Sequence, residues 1–173
     1  NFYGQLGIDG ELLSINGPTK VNLPNNQKAI SVSAGKHSSL VILEDGSLYA
    51  WGKNTAGELG VGDSLEKNKP TRVHLPEGRK AINLATAKNR SFAILDDGSL
   101  YSWGSNCYGT LGTGDEEDKY IPSKVNTPKG KKIMCFTIGS YSTLIRSDDG
   151  LFYSWGLSTN VKPSVGKRIK TKL

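Results

Sequence analysis

The sequence repeats itself at an interval of 52 residues. Residues 45–63 read DGSLYAWGKNTAGELGVGD, residues 97–115 read DGSLYSWGSNCYGTLGTGD, and residues 149–156 read DGLFYSWG. The same interval separates the three tryptophans, Trp51, Trp103 and Trp155. A fixed period of this size is typical of propellers, solenoids and other arrays, in which each repeat buries its apolar face against a neighbour. Because a catalytic site needs its groups only once, the repetition favours a structural unit over a duplicated active site.

Each repeat carries the same series of strand signals. The first copy has them at residues 29–35 (AISVSAG), 38–43 (SSLVIL) and 47–52 (SLYAWG), and a short fourth at 71–75 follows Pro70. Alternation in the first stretch has the period of two that a β-strand requires. An Asp-Gly pair separates the second and third signals, which favours a tight hairpin because its centre needs positive φ. The glycines of these pairs are Gly46, Gly98 and Gly150.

These signals predict an all-β fold of four-stranded antiparallel meanders, stacked as the blades of a β-propeller. The repeats are expected to fill residues 1–156, as the end of one blade (1–23) and three further units at 28–75, 80–127 and 132–156. Propellers typically have four to eight blades, so we interpret the chain, which begins inside a repeat, as about three blades of a larger ring. Strand 18–23 is then expected to complete an upstream blade. The last unit is expected to lack its own fourth strand and to take one from the distant N-terminal part of the protein.

The repeated aromatic residues and glycines are predicted to be structural. Tyr49 and Trp51 point to one face of their strand and Leu48 and Ala50 to the other, so the tryptophans are expected to lie between blades rather than to stack on a ligand. The glycines of GELGVGD suit a tight connection running under adjacent blades. A phosphate-binding loop is disfavoured, because no Lys-Ser/Thr pair and no helix follow them.

The positive charge is concentrated at the C-terminal end. The chain has 22 basic and 16 acidic residues, a formal net charge of +6, and five of the basic residues lie within residues 161–173. Since the repeats themselves are nearly neutral, nucleic-acid binding by them is disfavoured. The basic tail, residues 157–173, is interpreted as a solvated terminus or linker, or alternatively as a segment that contacts acidic lipid, nucleic acid or an import receptor.

No group of residues is typical of an enzyme active site, a metal centre or a cofactor site. The two histidines, His37 and His74, fall in different strand signals, and Cys107 and Cys135 lack the spacing of a zinc site or a disulfide framework. The acidic loop 115–119 (DEEDK) was weighed as a calcium site, but its counterpart DSLEK has too few oxygen ligands. We therefore expect no catalytic residue, no metal and no cofactor, and no apolar run long enough to span a membrane.

The frame D-G-x-L-Y-x-W-G-x-N-x-x-G-x-L-G-x-G, preceded by A-G and followed by P-x-x-V, resembles the regulator-of-chromosome-condensation repeat. The resemblance covers residues 1–156 and implies a propeller, usually of seven blades. Members of this family act as guanine-nucleotide exchange factors for the small GTPase Ran, as interaction modules, as a plant UV-B photoreceptor or as bacterial inhibitors of β-lactamase. The sequence departs from the family where a histidine is common, and the third copy loses the N-x-x-G-x-L-G phrase after Gly156. Those histidine positions are Ser38, Arg90 and Ser142.

Function is expected to reside in the loops, since loops can vary without disturbing a core. The loops 63–69 and 115–121 and the strand junction 88–90 differ most between copies. The predicted partner-binding residues are Glu66, Lys67, Lys88, Arg90, Glu116, Glu117, Asp118, Lys119 and Tyr120.

The resemblance favours a small GTPase of the Ran type as partner, with nucleotide exchange as the activity if there is one. The three hairpins share the same short Asp-Gly turn, so no wedge of the kind used by Ran exchange factors is visible. The alternative is a non-catalytic adaptor, scaffold or inhibitor, including a pathogen effector that acts on host GTPases. The expected location is intracellular, in the cytoplasm or nucleus, or inside a host cell if the protein is a secreted bacterial effector.

Overall fold

The chain forms three antiparallel sheets of four strands each. The computed structural model describes residues 1–8, 14–157 and 167–168. The first sheet contains β1 (Ala29–Ala34), β2 (Ser38–Leu43), β3 (Leu48–Gly52) and β4 (Lys67–Val73). The second contains β5 (Ala81–Ala87), β6 (Arg90–Leu95), β7 (Leu100–Gly104) and β8 (Lys119–Lys124). The third contains β9 (Ile133–Ile138), β10 (Ser142–Ser147), β11 (Phe152–Gly156) and β12 (Lys167–Arg168). Single 3-10 turns lie at Pro24–Asn26, Pro76–Gly78 and Cys107–Gly109.

Every sheet is a meander in which each strand pairs with the next along the chain. Neighbouring sheets meet mainly through their first strands: β1 and β2 contact β5, and β5 and β6 contact β9. The sheets therefore converge at β1, β5 and β9, as blades do around the axis of a propeller. The predicted all-β propeller class is confirmed. No helix among the described residues is long and apolar enough to cross a membrane.

The Asp-Gly hairpins form as predicted, and their aspartates are held in place. The central glycines have positive φ, at Gly46 (82°), Gly98 (83°) and Gly150 (79°). Hydrogen bonds from the Ser47 hydroxyl and backbone N–H lower the pKa of Asp45 to about 2. Hydrogen bonds from Ser147 and Lys131 lower the pKa of Asp149 to about 2 as well. The carboxylate of each turn therefore stays ionised and fixes the hairpin geometry.

Two clusters of apolar side chains lie between the sheets. Leu48 and Ala50 pack toward the second sheet, whereas Trp51 and Tyr49 pack on the opposite face, as predicted. The residues buried between the first two sheets include Leu40, Ile42, Leu59, Leu84, Leu95 and Trp103. Those buried between the second and third include Phe92, Ile94, Leu111, Ile133 and Ile145. These two clusters therefore lie where two repeats meet, and a third cluster, Val41, Leu43 and Trp51, lies on the far face of the first sheet.

The bounds of one predicted fourth strand were wrong, whereas the pairing of residues 18–23 with an upstream blade stays a prediction. Residues 18–23 pair with no strand among the described residues, and Val21 and Leu23 pack against the apolar face that the first sheet turns away from the second. β4 begins at Lys67 rather than at residue 71, with Pro70 inside it. Pro70 is tolerated because β4 is an edge strand, where an N–H that faces away from the ladder is not needed.

The prediction that the last unit would lack its own fourth strand was also wrong. Lys167 and Arg168 form β12, which pairs with Ser154 and Tyr153 of β11. The basic tail carries no apolar strand signal, and its composition indicated a terminus or linker. A strand edge, however, offers backbone N–H and C=O groups to any segment that reaches it. Part of the tail therefore occupies the outer edge of the third sheet.

Candidate partner-binding surfaces

The G-x-L-G phrase of each repeat connects one sheet to the next. The Gln5 carbonyl accepts hydrogen bonds from the Ser39 hydroxyl (2.8 Å) and from Trp51 Nε1 (2.9 Å). The Thr110 carbonyl accepts the two equivalent hydrogen bonds, from Thr143 Oγ1 and from Trp155 Nε1, both at 3.0 Å. At the middle junction, the Ser91 hydroxyl donates to the Glu58 carbonyl at 2.7 Å. These loops fasten successive blades through main-chain carbonyls, and they also lead into the variable loops.

The second glycine of this phrase is required by close approach to the next tryptophan. Gly60 has φ +72°, and a Cβ atom there would lie 2.6 Å from Trp103 Nε1. Gly7 and Gly112 stand in the same relation to Trp51 and Trp155. A side chain at these positions would therefore clash with the indole and strain the backbone.

A buried asparagine organises each variable loop. Asn106 is fully buried, and its Nδ2 donates to the Asp115 carbonyl (2.9 Å) and Oδ1 (3.1 Å). Its Oδ1 accepts from the Leu111 N–H at 2.8 Å, and its own N–H donates to Asp118 Oδ1 at 2.7 Å. Asn54 holds the 63–65 loop in the same way. The sequence analysis did not single these residues out, although the recurring W-G-x-N phrase carries the signal.

The structure brings the two predicted loops together. The Gly62 N–H donates to the Tyr120 carbonyl at 2.9 Å, so the loop after β3 lies against the start of β8. Three apolar side chains are exposed there: Leu65 (67%), Tyr120 (41%) and Ile121 (58%). We call the exposed side chains of these two loops the rim patch: Leu65, Glu66, Glu116, Glu117, Asp118, Tyr120 and Ile121.

The two lysines predicted in these loops pair with carboxylates of their own loops. Lys67 Nζ lies 2.8 Å from Asp63 Oδ2, and Lys119 Nζ lies 3.0 Å from Asp115 Oδ2. The hydrogen bond to Asp115 raises the pKa of Lys119, which keeps the ammonium charged. The charge that the rim patch offers to a partner is therefore acidic, chiefly from Glu66 and Glu116.

In the third predicted segment, residues 88–90, one predicted residue lies at the surface and the other is buried. Lys88 is exposed, and its Nζ lies 4.2 Å from the centroid of the Tyr141 ring. Arg90 is only 4% exposed, and its Nη2 donates to the Gly139 and Ser140 carbonyls, each at 2.8 Å. The prediction that Arg90 faces a partner was therefore wrong. It ties β6 to the turn that precedes β10, and burial lowers the pKa of its guanidinium.

A carboxylate is buried beside the rim patch. Glu58 is 1% exposed, and its Oε2 accepts a hydrogen bond from the Ala56 N–H at 2.7 Å. Burial raises the pKa of Glu58 above its ordinary value, because the ionised form loses its hydration. The first repeat has Gln5 in this position, where its Oε1 accepts from the Tyr3 N–H in the same way. A neutral amide therefore satisfies the same backbone group.

Replacing Glu58 by glutamine is expected to raise the free energy of unfolding at neutral pH by about 1 kcal/mol, because a buried charge is removed and the backbone contact is kept. Because the pKa of Glu58 is higher in the folded protein than in the unfolded chain, the folded protein takes up this proton at a higher pH than the unfolded chain does. The advantage of the variant should therefore shrink as the pH falls through that pKa, and disappear below 4.5, the ordinary pKa of a glutamate. Urea unfolding at a series of pH values measures this. A constant difference at every pH would contradict it.

The two cysteines and the acidic groups form no cluster. Cys107 and Cys135 are exposed free thiols. Within the described part of the chain, no three His, Cys, Asp or Glu side chains are placed to hold a metal ion.

Comparison with known proteins places the repeats in one family. The profile of the regulator of chromosome condensation (RCC1) repeat matches residues 1–42, 45–94 and 97–145. The chain is 29% identical over 156 residues to the ultraviolet-B receptor UVR8 of Arabidopsis thaliana, covering 90% of the chain and 35% of the receptor. It is 31% identical over 140 residues to the human probable E3 ubiquitin-protein ligase HERC3, covering 80% of the chain and 13% of the ligase.

Solved structures agree on the fold. Human WBSCR16 superposes with a TM-score of 0.84 at 22% identity, covering 97% of this chain and 45% of that one. Prp20p of Saccharomyces cerevisiae superposes with a TM-score of 0.71 at 24% identity, covering 83% of this chain and 38% of that one. The chain therefore spans less than half of each of these proteins. With three matched repeats and three blades of the same architecture, it belongs to the family of RCC1-repeat β-propellers.

Proposed function

We propose that the chain is a protein-interaction module that binds its partner through the rim patch. The observation that carries this proposal is the exposure of Leu65, Tyr120 and Ile121 on two loops that touch each other. Exposed apolar side chains grouped within a polar border are typical of protein contact sites. Lys67 and Lys119 are engaged within the loops, so the acidic groups around the apolar residues favour a partner with a basic surface.

The partner class that we favour is a small GTPase of the Ran type, in the cytoplasm or nucleus. Family membership supports this choice. The fold match to Prp20p supports it too, because the structure of Prp20p was described together with its binding properties to Gsp1p and histones. Exchange activity would require tighter binding to the nucleotide-free GTPase than to the nucleotide-bound form. A nucleotide-exchange assay with a panel of small GTPases tests this directly.

The second candidate is an adaptor or inhibitor without exchange activity, including an effector that acts on host GTPases. The short hairpins favour it, since residues 44–47, 96–99 and 148–151 form the same tight turn and offer no inserted element to displace a nucleotide. Binding of a GTPase without faster nucleotide release would support this candidate over the first.

Reversing two charges of the rim patch is expected to slow partner association by about tenfold and to weaken its salt dependence. The variant Glu66→Lys with Glu116→Lys removes two exposed carboxylates that form no hydrogen bond or ion pair within the described part of the chain, so the fold should be unaffected. Stopped-flow or surface plasmon resonance measurements of association at several salt concentrations give the result.

The matched control is Glu44→Lys with Asp148→Lys, two exposed acids of the hairpin turns away from the rim patch. The control makes the same change of net charge and should leave association nearly unchanged. Equal slowing by both variants would show that only the overall charge matters. Unchanged binding in Ile121→Ser would also count against the rim patch, because the apolar contact is central to it.

A further inference from the structure

A pocket of about 510 Å³ lies between the second and third sheets, at the end that carries the Asp-Gly turns. Its walls are the hairpin at residues 97–99 and the connection from β8 to β9, residues 124–132. This volume falls within the range of small-molecule sites, roughly 300–1,000 Å³. Four lysines line it: Lys124, Lys129, Lys131 and Lys132.

The charges around this pocket do not cancel. The single carboxylate in its wall, Asp97, accepts a hydrogen bond from the Ser99 N–H at 2.9 Å and lies 3.6 Å from Arg79. Lys131 pairs with Asp149 at 2.9 Å. The other three lysines of the wall have no carboxylate within 4.0 Å among the residues that the structure describes. Three lysines without a carboxylate partner therefore line one concave space, whose single carboxylate, Asp97, already lies beside Arg79.

The repeats show that the fold does not require these lysines. The positions equivalent to the four lysines are occupied in the second repeat by Arg72, Glu77, Arg79 and Lys80. In the first repeat they are occupied by Lys20, Asn25, Gln27 and Lys28. Only the third connection combines four lysines, although all three connections join a fourth strand or its equivalent to the next blade. The second repeat has basic residues at three of these four positions, so Lys129 is the charge that is particular to this pocket.

We propose that this pocket binds a compact anion bearing several phosphate groups. Its wall contains four lysines, and lysine binds phosphate groups as a mobile point charge. The wall contains no aromatic ring on which a nucleobase would stack. The only large apolar side chain among the lining residues is Val125, which is itself buried. These features fit a ligand recognised by its phosphates alone.

Isothermal titration calorimetry with inorganic tripolyphosphate tests the proposal on the intact chain at low ionic strength. Saturable binding to one site is expected. Lys129→Glu should weaken it by about tenfold, the effect of removing one attractive charge and adding one repulsive charge. The variant should fold normally, because the second repeat has Glu77 at the same position of an equivalent turn. A cooperative urea transition like that of the wild type confirms this.

The matched control is Lys36→Glu, which makes the same change of charge in the exposed turn at the opposite end of β1. It should alter the affinity by less than about twofold. Equal weakening by Lys129→Glu and Lys36→Glu would overturn the site, since only net charge would then attract the anion. Absence of saturable heat would overturn it too. Tighter binding of a singly phosphorylated serine peptide than of tripolyphosphate would show that the ligand is a peptide and not a compact polyphosphate.

Discussion

Replacing Trp103 by alanine is expected to lower the free energy of unfolding by about 3–5 kcal/mol. The indole is fully buried between the first and second sheets, in the cluster that contains Leu59 and Ala93. The space left by the side chain cannot close, because Gly60 on one side is held by the main chain and β6 on the other belongs to the sheet. Since total stabilities are about 5–15 kcal/mol, the variant should lie near unfolding. Urea titration followed by circular dichroism gives the value.

The third repeat provides the control for this prediction. Trp155 is only partly buried, so Trp155→Ala should cost distinctly less. Its Nε1 donates to the Thr110 carbonyl, but the net contribution of one such hydrogen bond is only about 1 kcal/mol. Equal losses in the two variants would contradict the argument that burial between complete blades determines the cost.

Replacing Asn106 by aspartate is expected to cost about 3 kcal/mol at neutral pH, although the two side chains have the same shape. The Nδ2 donor would become an oxygen facing the Asp115 carbonyl and carboxylate, so two attractive contacts would become repulsive. The bond from the Leu111 N–H would be kept, so no cavity forms. The loss should diminish at acidic pH, where a protonated carboxyl can donate again. Urea unfolding at neutral and acidic pH measures both effects.

A second asparagine, at an exposed position, is the control for the effect of burial on this substitution. Asn126 is exposed, and its Nδ2 donates to the Thr113 carbonyl at 2.9 Å. Asn126→Asp should therefore change the free energy of unfolding by less than about 1 kcal/mol, because water can replace the lost contact. A loss in Asn106→Asp no larger than in Asn126→Asp would disprove the role of the buried amide.

The sequence predicted the features that depend on neighbouring residues. The hairpin at Gly46 follows from the need for positive φ at one position, and the opposite faces of Leu48 and Trp51 follow from the alternation of a strand. The 52-residue interval then placed both features in every blade. Such signals are complete within a few residues, so no knowledge of the tertiary structure is needed to interpret them.

The features that sequence analysis missed depend on residues far apart in the chain. Ile30, Val32 and Ala34 alternate as the pattern indicated, but Ile30 and Val32 are 60% and 72% exposed, because the burial of a strand face depends on what packs against it. Arg90 was predicted at the surface because residues 88–90 depart from the commoner pattern at a strand junction, but its guanidinium donates to the carbonyls of residues 139 and 140. The pairing of β12 likewise depends on where the tail meets β11.

The candidate site was predicted at the level of loops and not of side chains. Charge and sequence difference between copies pointed to two loops as the partner surface, and the structure brings these two loops together. The ion pairs of Lys67 and Lys119 within their loops could not be read from composition, because a lysine four residues from an aspartate pairs with it only when the loop turns back. The buried asparagines that impose this turn explain why those lysines contribute little free charge.

Successive blades are attached through the main-chain carbonyls of Gln5, Glu58 and Thr110. At each of these residues the main chain and the side chain therefore have separate roles. The main chain carries the attachment, so the side chain at that position is free to be an amide, an acid or a hydroxyl. Duplicated repeats can therefore diverge in sequence at their junctions without loosening the array. An insertion that displaces one of these carbonyls by a single residue would detach the neighbouring blade instead. Evolution of such a chain should thus accept many substitutions at the junctions but very few changes of length.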